Sequence, residues 1–517
     1  MQERRNNFLA ILLGLWLLPW LLGAAAAELE IQVLSLTDTH GAVRSGAENA
    51  GRGGWLRLAS LIRRERAAFG AERTLLIDCG DTLQGGFEAA ASRGRIGVEF
   101  LAGIGVDVWV PGNHDLEFGL GEFRAAVDRL GARVLAGNLA LPEDASRRLE
   151  PLPAWRLFER NGIRVAVIGA TAKHLDLWLW GDAVAGYRVE SAAALLARVL
   201  PAVHRARPDV IVLALHQGWQ FSDPRQVNEV AALVKRYPEL DLVLGGHTHQ
   251  LHPGERIGPR TWYVQSGFGA DWLGRTRLRF DAATRTVLDL RSELLPVTAE
   301  LPEDPVLKGR LRPFLAAADR AAREPAGSLA APVRAAGVPG QGCESSELLC
   351  EALAWATGAD AVLHGKLNEA SLPAGPLTRR DLFFLVPYEN SVALASVTVA
   401  ELKRILAEQR RTAAGTTAFN GLWGVVAELG PDGEVRRLTR ADGAPLADSD
   451  RLTLALNGYV VAGAGGRFPE LRAILRQPAA RLQDTGQNTR EALRQFLVRH
   501  PGWRPAPRRW LRRLPEG

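Results

Sequence analysis

At 517 residues the chain is longer than one hydrophobic core usually serves, so two or three domains are expected. Its 47% hydrophobic and 23% charged content is that of an ordinary globular protein, and three cysteines exclude a disulfide framework. The net charge of +6 comes with arginine heavily favoured over lysine.

Residues 1–27 open the chain with Arg4 and Arg5, an apolar run from Phe8 to Leu22 and the small residues Ala24 to Ala27. This is the pattern of a cleaved secretory signal, which places the mature protein, from about Glu28, in the periplasm or outside the cell. The run is short for a bilayer and Pro19 interrupts it, so no stable membrane anchor is expected.

Between residues 28 and 296, strand-like and helix-like stretches alternate, which predicts a layered α/β domain. Five apolar, strand-like segments stop at residues that favour metals. Ile31 to Thr37 leads to Asp38 and His40, Leu75 to Ile77 to Asp81, and Val106 to Val110 to Asn113 and His114. Val210 to Leu215 then leads to His216, and Leu242 to Leu244 to His247 and His249. Ligands of open α/β sheets collect beyond the carboxyl ends of the strands, so these residues are expected to converge. Helices are predicted at Trp55 to Phe69 and Val227 to Tyr237.

Residues 297–325 read as a linker built on one helix, Pro302 to Glu324. A second domain, 326–498, opens with a helix from Ser346 to Thr357 and carries another from about Val399 to Glu408, where Thr398 and Glu401 could form a capping box. Cys343 and Cys350 can be bridged only if Cys343 precedes the first of these helices, with Ser345 or Ser346 as its N-cap. The arginine- and proline-rich stretch 499–517 reads as a solvated basic tail, and no nucleic-acid polymer is expected as a partner.

The residue types define the chemistry. Asp38 and His40, two positions apart on an extended strand end, would share a face and hold one ion. Asp81 has two carboxylate oxygens and can bridge to a second ion, for which Asn113 offers a neutral oxygen, while His216, His247 and His249 supply imidazoles. Ligands without thiolate suit manganese, zinc, iron or cobalt. Two such ions activate a bridging water for in-line attack on a phosphate ester. His114 would point away from Asn113 on an extended segment and meet the substrate, oriented by Glu117.

The segments Thr37-Asp38-Thr39-His40-Gly41, Gly80-Asp81-Thr82, Gly112-Asn113-His114-Asp115 and Gly245-Gly246-His247-Thr248-His249 resemble the motifs of the calcineurin-like metallophosphoesterases. The branch is that of the bacterial 5′-nucleotidases and UDP-sugar hydrolases. The resemblance implies a four-layer α/β sandwich followed by a C-terminal α/β (α+β) substrate domain. It implies one metal on Asp38, His40 and His249, another on Asn113, His216 and His247, and Asp81 between them. It also implies a catalytic His114 paired with an acid, here Glu117 where the family has Asp.

The second domain departs from its family pattern. Where an arginine commonly clamps the substrate phosphate, this chain has Glu369, with Lys366 as the nearby cation. Tyr459 and Phe419 are candidates to stack a flat ring. The expected substrate is a small phosphate ester, with nucleotides, cyclic nucleotides and nucleotide sugars as candidates. Two rivals stay open: a sulfur-ester or thiosulfonate hydrolase using the same metal pair, and a non-catalytic cell-envelope binding protein.

Overall fold

The computed structural model describes residues 28–44, 51–140, 152–184, 186–219, 227–338, 342–412, 421–506 and 510–514. The signal-like segment and Phe419 lie outside them. Among the described residues no helix is long and apolar enough to cross a membrane.

The amino-terminal half is built on two sheets. One runs Val287–Pro296, Trp272–Asp281, Glu28–Leu36, Thr74–Asp78, Val108–Trp109; the other runs Leu251–Arg256, Trp262–Ser266, Leu242–Leu244, Val210–Leu215, Ile163–Ala170, Trp155–Arg160. The strand Val210–Leu215 is apolar along its whole length because it is covered on both faces. In Val210–Leu215, Val210, Val212 and Ala214 enter the core between the sheets. Ile211, Leu213 and Leu215 instead meet Leu195, Leu196 and Val199 of the helix Ala192–Arg205. On the far side of the first sheet, Leu34 and Leu36 pack with Trp55, Leu58 and Phe100. These are the four layers helix, sheet, sheet, helix.

Strands Glu28–Leu36, Thr74–Asp78 and Val108–Trp109 are parallel neighbours, as are Ile163–Ala170, Val210–Leu215 and Leu242–Leu244. Their carboxyl ends therefore open on one edge of the sandwich. The strand expected at Val106 to Val110 is shorter than its apolar run, with ladder pairing only at Val108–Trp109.

The helix Trp55–Phe69 spans the expected residues, and the linker helix runs Pro305–Ala322. Asp304 caps the latter, its Oδ1 accepting the amides of Val306 and Leu307 at 2.9 and 2.8 Å. This helix is embedded rather than free. Leu307 and Leu311 lie in the amino-terminal core, while Ala318 and Ala322 pack with Phe87 and with Phe383 of the carboxyl-terminal half.

The second half has a five-stranded sheet, ordered Gly421–Trp423, Ala361–His364, Arg451–Asn457, Ser391–Thr398, Gln483–Asn488. Its first helix, Glu344–Thr357, starts two residues earlier than expected. Cys343 is its N-cap residue, and Ser346 Oγ accepts the Cys343 amide at 3.0 Å. The cysteines are all free: Cys350 lies buried, its thiol donating to Gly421 O at 3.1 Å. The Thr398–Glu401 box forms as expected, with reciprocal bonds of 2.7 and 3.1 Å at the start of the helix Val399–Thr412. The basic end of the chain differs from a solvated tail. Leu511–Arg513 adds a parallel strand to Val425–Leu429, and Trp503 donates to Glu351 at 3.1 Å, because its tryptophans provide apolar surface to bury.

Candidate active site

The site begins where the parallel strands end. The loop after Glu28–Leu36 is joined to the loop after Thr74–Asp78 by amides of Asp38, His40 and Gly41 donating to the carbonyls of Gly80, Asp81 and Thr82, at 2.7, 2.8 and 3.1 Å. A side chain at Gly80 would collide with the backbone of Val110 and Gly112, so the third loop presses directly on the second.

Asp38 and His40 do share a face, though not on an extended strand: their φ angles are 49° and 46°. Asp81, His247 and His249 are also left-handed, at 54°, 71° and 57°. Non-glycine residues adopt this region at a cost of about 1–3 kcal/mol each, and such strain concentrates at functional sites. Five of the seven predicted ligands carry it. His114 differs from the expected extended segment too. It opens the single 3₁₀ turn His114–Leu116, and that turn separates its ring from Asn113.

Six of the seven fall into two groups, Asp38 with His40 and His249, and Asp81 with His216 and His247. Within each group the candidate ligand atoms all lie within 4.8 Å of one another. Asp81 Oδ2 sits between the groups, 3.0 Å from His216 Nε2 and 3.9 Å from His40 Nε2. The seventh, Asn113, is buried with both amide atoms unpartnered, and Asp81 Oδ2 and His216 Nε2 are likewise buried without a hydrogen-bond partner.

The histidines are oriented from behind. His216 Nδ1 lies 2.7 Å from Cys79 O and His40 Nδ1 lies 3.2 Å from Gln84 O, so each donates there and turns its Nε2 inward. The His40 and His249 Nε2 atoms approach to 3.0 Å. Burial pushes Asp38 up to about 7 and both His40 and His247 down to about 3. Ring nitrogens and carboxylate oxygens crowded together at a site buried at Asp38, Asp81 and His216 and open at His249 fit a pair of divalent cations. That donor set passes the test of chemistry.

His114 stands beside this cluster. Its Nδ1 is 2.5 Å from Glu117 Oε1, and its ring stacks on Tyr388 with centroids 5.9 Å apart. Burial disfavours the imidazolium, but the carboxylates of Glu117 and Asp81 outweigh it and hold His114 up at about 9. Glu117 also accepts the Glu389 amide from the second half at 3.2 Å.

From His114 a cavity of about 350 Å³ extends between the two halves, lined by Trp178, Lys366, Tyr388, Tyr459 and Arg467 among others. Lys366 and Tyr459 thus both line this cavity. The Lys366 ammonium, however, is held by both oxygens of Glu369 at 2.7 and 2.8 Å. A roomier cavity of about 650 Å³ lies at the opposite end of the strands, near Asp209 and Asp241. Those carboxylates already pair with Arg285 and Arg260, so the chemistry lies elsewhere.

Sequence reasoning passed over three residues. The Asp115 carboxylate accepts the amides of Asp81, Thr82, Leu83 and Gly112 at 2.7–2.9 Å, a role signalled only by an acid beside Asn113 and His114. Trp178 stands edge-on to His247 at 4.8 Å and faces Tyr459 at 6.4 Å. Arg467 covers Tyr459. Neither of the last two carries a local signal.

Both halves of the chain are similar to known proteins. Residues 31–251 match the calcineurin-like phosphoesterase family and residues 325–473 the 5′-nucleotidase C-terminal domain. Protein UshA of Yersinia enterocolitica is 24% identical over 529 residues, covering 91% of each chain. A candidate 5′-nucleotidase of Staphylococcus aureus superposes with a TM-score of 0.77 at 20% identity, over 94% of this chain and 99% of that one. The 5′-nucleotidase precursor of Thermus thermophilus gives 0.68 at 19% identity, over 94% and 100%. With a phosphoesterase sandwich in its first half and a nucleotidase-type domain in its second, the chain belongs to the 5′-nucleotidase-like branch of the calcineurin-like phosphoesterases.

Proposed function

We propose that the chain is an exported, metal-dependent phosphoesterase that hydrolyses phosphate esters of nucleotides or related small molecules. The observation that carries this reading is the position of Asp81 Oδ2, buried, unpartnered and between two groups of inward-facing donors. Asp38, His40 and His249 would hold one divalent ion, Asn113, His216 and His247 another, and Asp81 both. Such ions supply Lewis acidity and lower the pKa of water to the neutral range.

The remaining work falls to the chain's own residues. His114, kept charged by Glu117, offers its Nε2 proton to a phosphoryl oxygen or to the departing oxygen. Tyr388 and Tyr459 line the cavity in which the leaving group would lie. The export reading rests on the composition of residues 1–27.

The test is hydrolysis of bis(4-nitrophenyl) phosphate by manganese-loaded protein. Asp81→Ala and His114→Ala should each abolish it, and activity that survives both substitutions removes the reading. A panel of AMP, a 2′,3′-cyclic nucleotide, UDP-glucose and a thiosulfonate then assigns the substrate. Amino-terminal sequencing of the protein from the native host checks export, with a start near Glu28 expected.

A further inference from the structure

The cavity beside His114 has an uneven inventory of charge. Glu117 is engaged by His114, and the Lys366 ammonium is neutralised by Glu369. The Asn457 side chain is taken up by the Val460 amide and the His364 ring. Arg467 is different. Its Nε donates to Ala464 O at 3.0 Å and its Nη2 to the Tyr459 hydroxyl at 3.1 Å, with the guanidinium carbon 5.7 Å from the centre of the Tyr459 ring.

Those contacts fix the planar group without cancelling its charge. Among the described residues both hydrogen-bond partners are uncharged oxygens. Arg467 is also well placed relative to the chemistry. From the candidate ligand His247, Trp178 is 4.8 Å away, Tyr459 a further 6.4 Å, and the guanidinium lies over that tyrosine. A substrate with its scissile phosphate at His114 and a ring against Tyr459 would bring its far end to Arg467.

We propose that Arg467 is a specificity-determining residue that binds a second anionic group carried by the leaving group of a phosphate ester. The position of the scissile phosphate rests on the hydrolase reading above; the anion site itself does not. A guanidinium held flat matches two oxygens of a carboxylate or phosphate at once, and its seat on an aromatic face limits its freedom before binding. With the Lys366 cation already neutralised in the cavity wall, Arg467 provides the attraction for that group.

The test uses a non-hydrolysable pair, phenylphosphonate and 4-carboxyphenylphosphonate, titrated calorimetrically into the manganese-loaded mature protein. The carboxylated ligand should bind at least tenfold more tightly to the native protein. In Arg467→Gln that ratio should fall below twofold, and Arg467→Lys should recover part of it. Equal affinities in the native protein, or a tenfold ratio that survives Arg467→Gln, overturn the proposal. Turnover of bis(4-nitrophenyl) phosphate by the same preparations reads the hydrolase separately. No turnover with the affinity ratio intact removes the hydrolase and keeps the anion site, while turnover without the ratio does the reverse.

Discussion

The Asp115 carboxylate accepts the backbone amide of Asp81 at 2.9 Å and fixes the candidate bridging residue in a left-handed conformation that no glycine provides. Three more amides, from Thr82, Leu83 and Gly112, converge on the same two oxygens. Strain at Asp81 is thereby offset by a buried acceptor that belongs to another loop.

Asp115→Asn turns a side-chain amide towards backbone donors and removes the charge they point to. Hydrogen bonds to a buried charge are worth about 1.5–3 kcal/mol, so a loss of roughly that size is expected in urea unfolding. Bound metal should fall as well, measured by elemental analysis after dialysis. Unchanged stability and two retained ions would show that the four amides do not depend on this carboxylate.

Glu117→Gln should leave the candidate metal donors in place while depriving His114 of its partner. A roughly 10²-fold fall in kcat with little change in KM is expected, since general acid–base terms are of about that size. Metal content should stay at the native level. Glu117→Asp, which restores the charge on a shorter arm, should recover part of the rate. A fall confined to KM would assign Glu117 to substrate binding instead.

How far these positions could be read from the chain depends on what determines each of them. Asp38, Asp81, His216 and His247 were legible because an apolar strand followed by a polar break is a local pattern. Their backbone angles were not, because bonds between loops, such as Asp38 N to Gly80 O at 2.7 Å, impose them. The start of the helix Glu344–Thr357 was missed because cysteine is not a usual cap, and the serine at Ser346 works from the third helical position. Arg467 meets Tyr459 within the second half, whereas Trp178 meets it only through packing of the two halves.

That packing makes a second kind of prediction. Gly465 has φ 67°, its amide donates to Leu177 O at 2.8 Å, and a side chain there would come within 2.6 Å of the Trp178 ring. Gly465→Ala therefore adds about 1 kcal/mol of backbone strain and displaces the indole from between His247 and Tyr459. KM for the preferred ester should rise severalfold, with a loss of Tm of a few degrees. Native KM in a protein that has lost the same stability would separate the indole from substrate binding.

His364 links the second sheet to the cavity and should make stability depend on pH. The ring is fully buried, its Nδ1 donating to Gly365 O at 2.7 Å and its Nε2 accepting from Asn457 Nδ2 at 3.2 Å. Both nitrogens are satisfied only in the neutral form, and burial lowers the group to about 4 from its ordinary 6.5. The unfolded chain takes up its proton near pH 6.5 and the folded chain only near 4, so the folded state binds fewer protons between those values. The stabilisation is therefore complete above 6.5 and is lost as pH falls towards 4, by an amount on the order of 3 kcal/mol. His364→Gln keeps the space filled with a group that does not titrate, so native and variant urea midpoints should converge on acidification from pH 7.5 to 4.5. A constant gap between the two across that range would mean that the ring charges without cost in the folded protein.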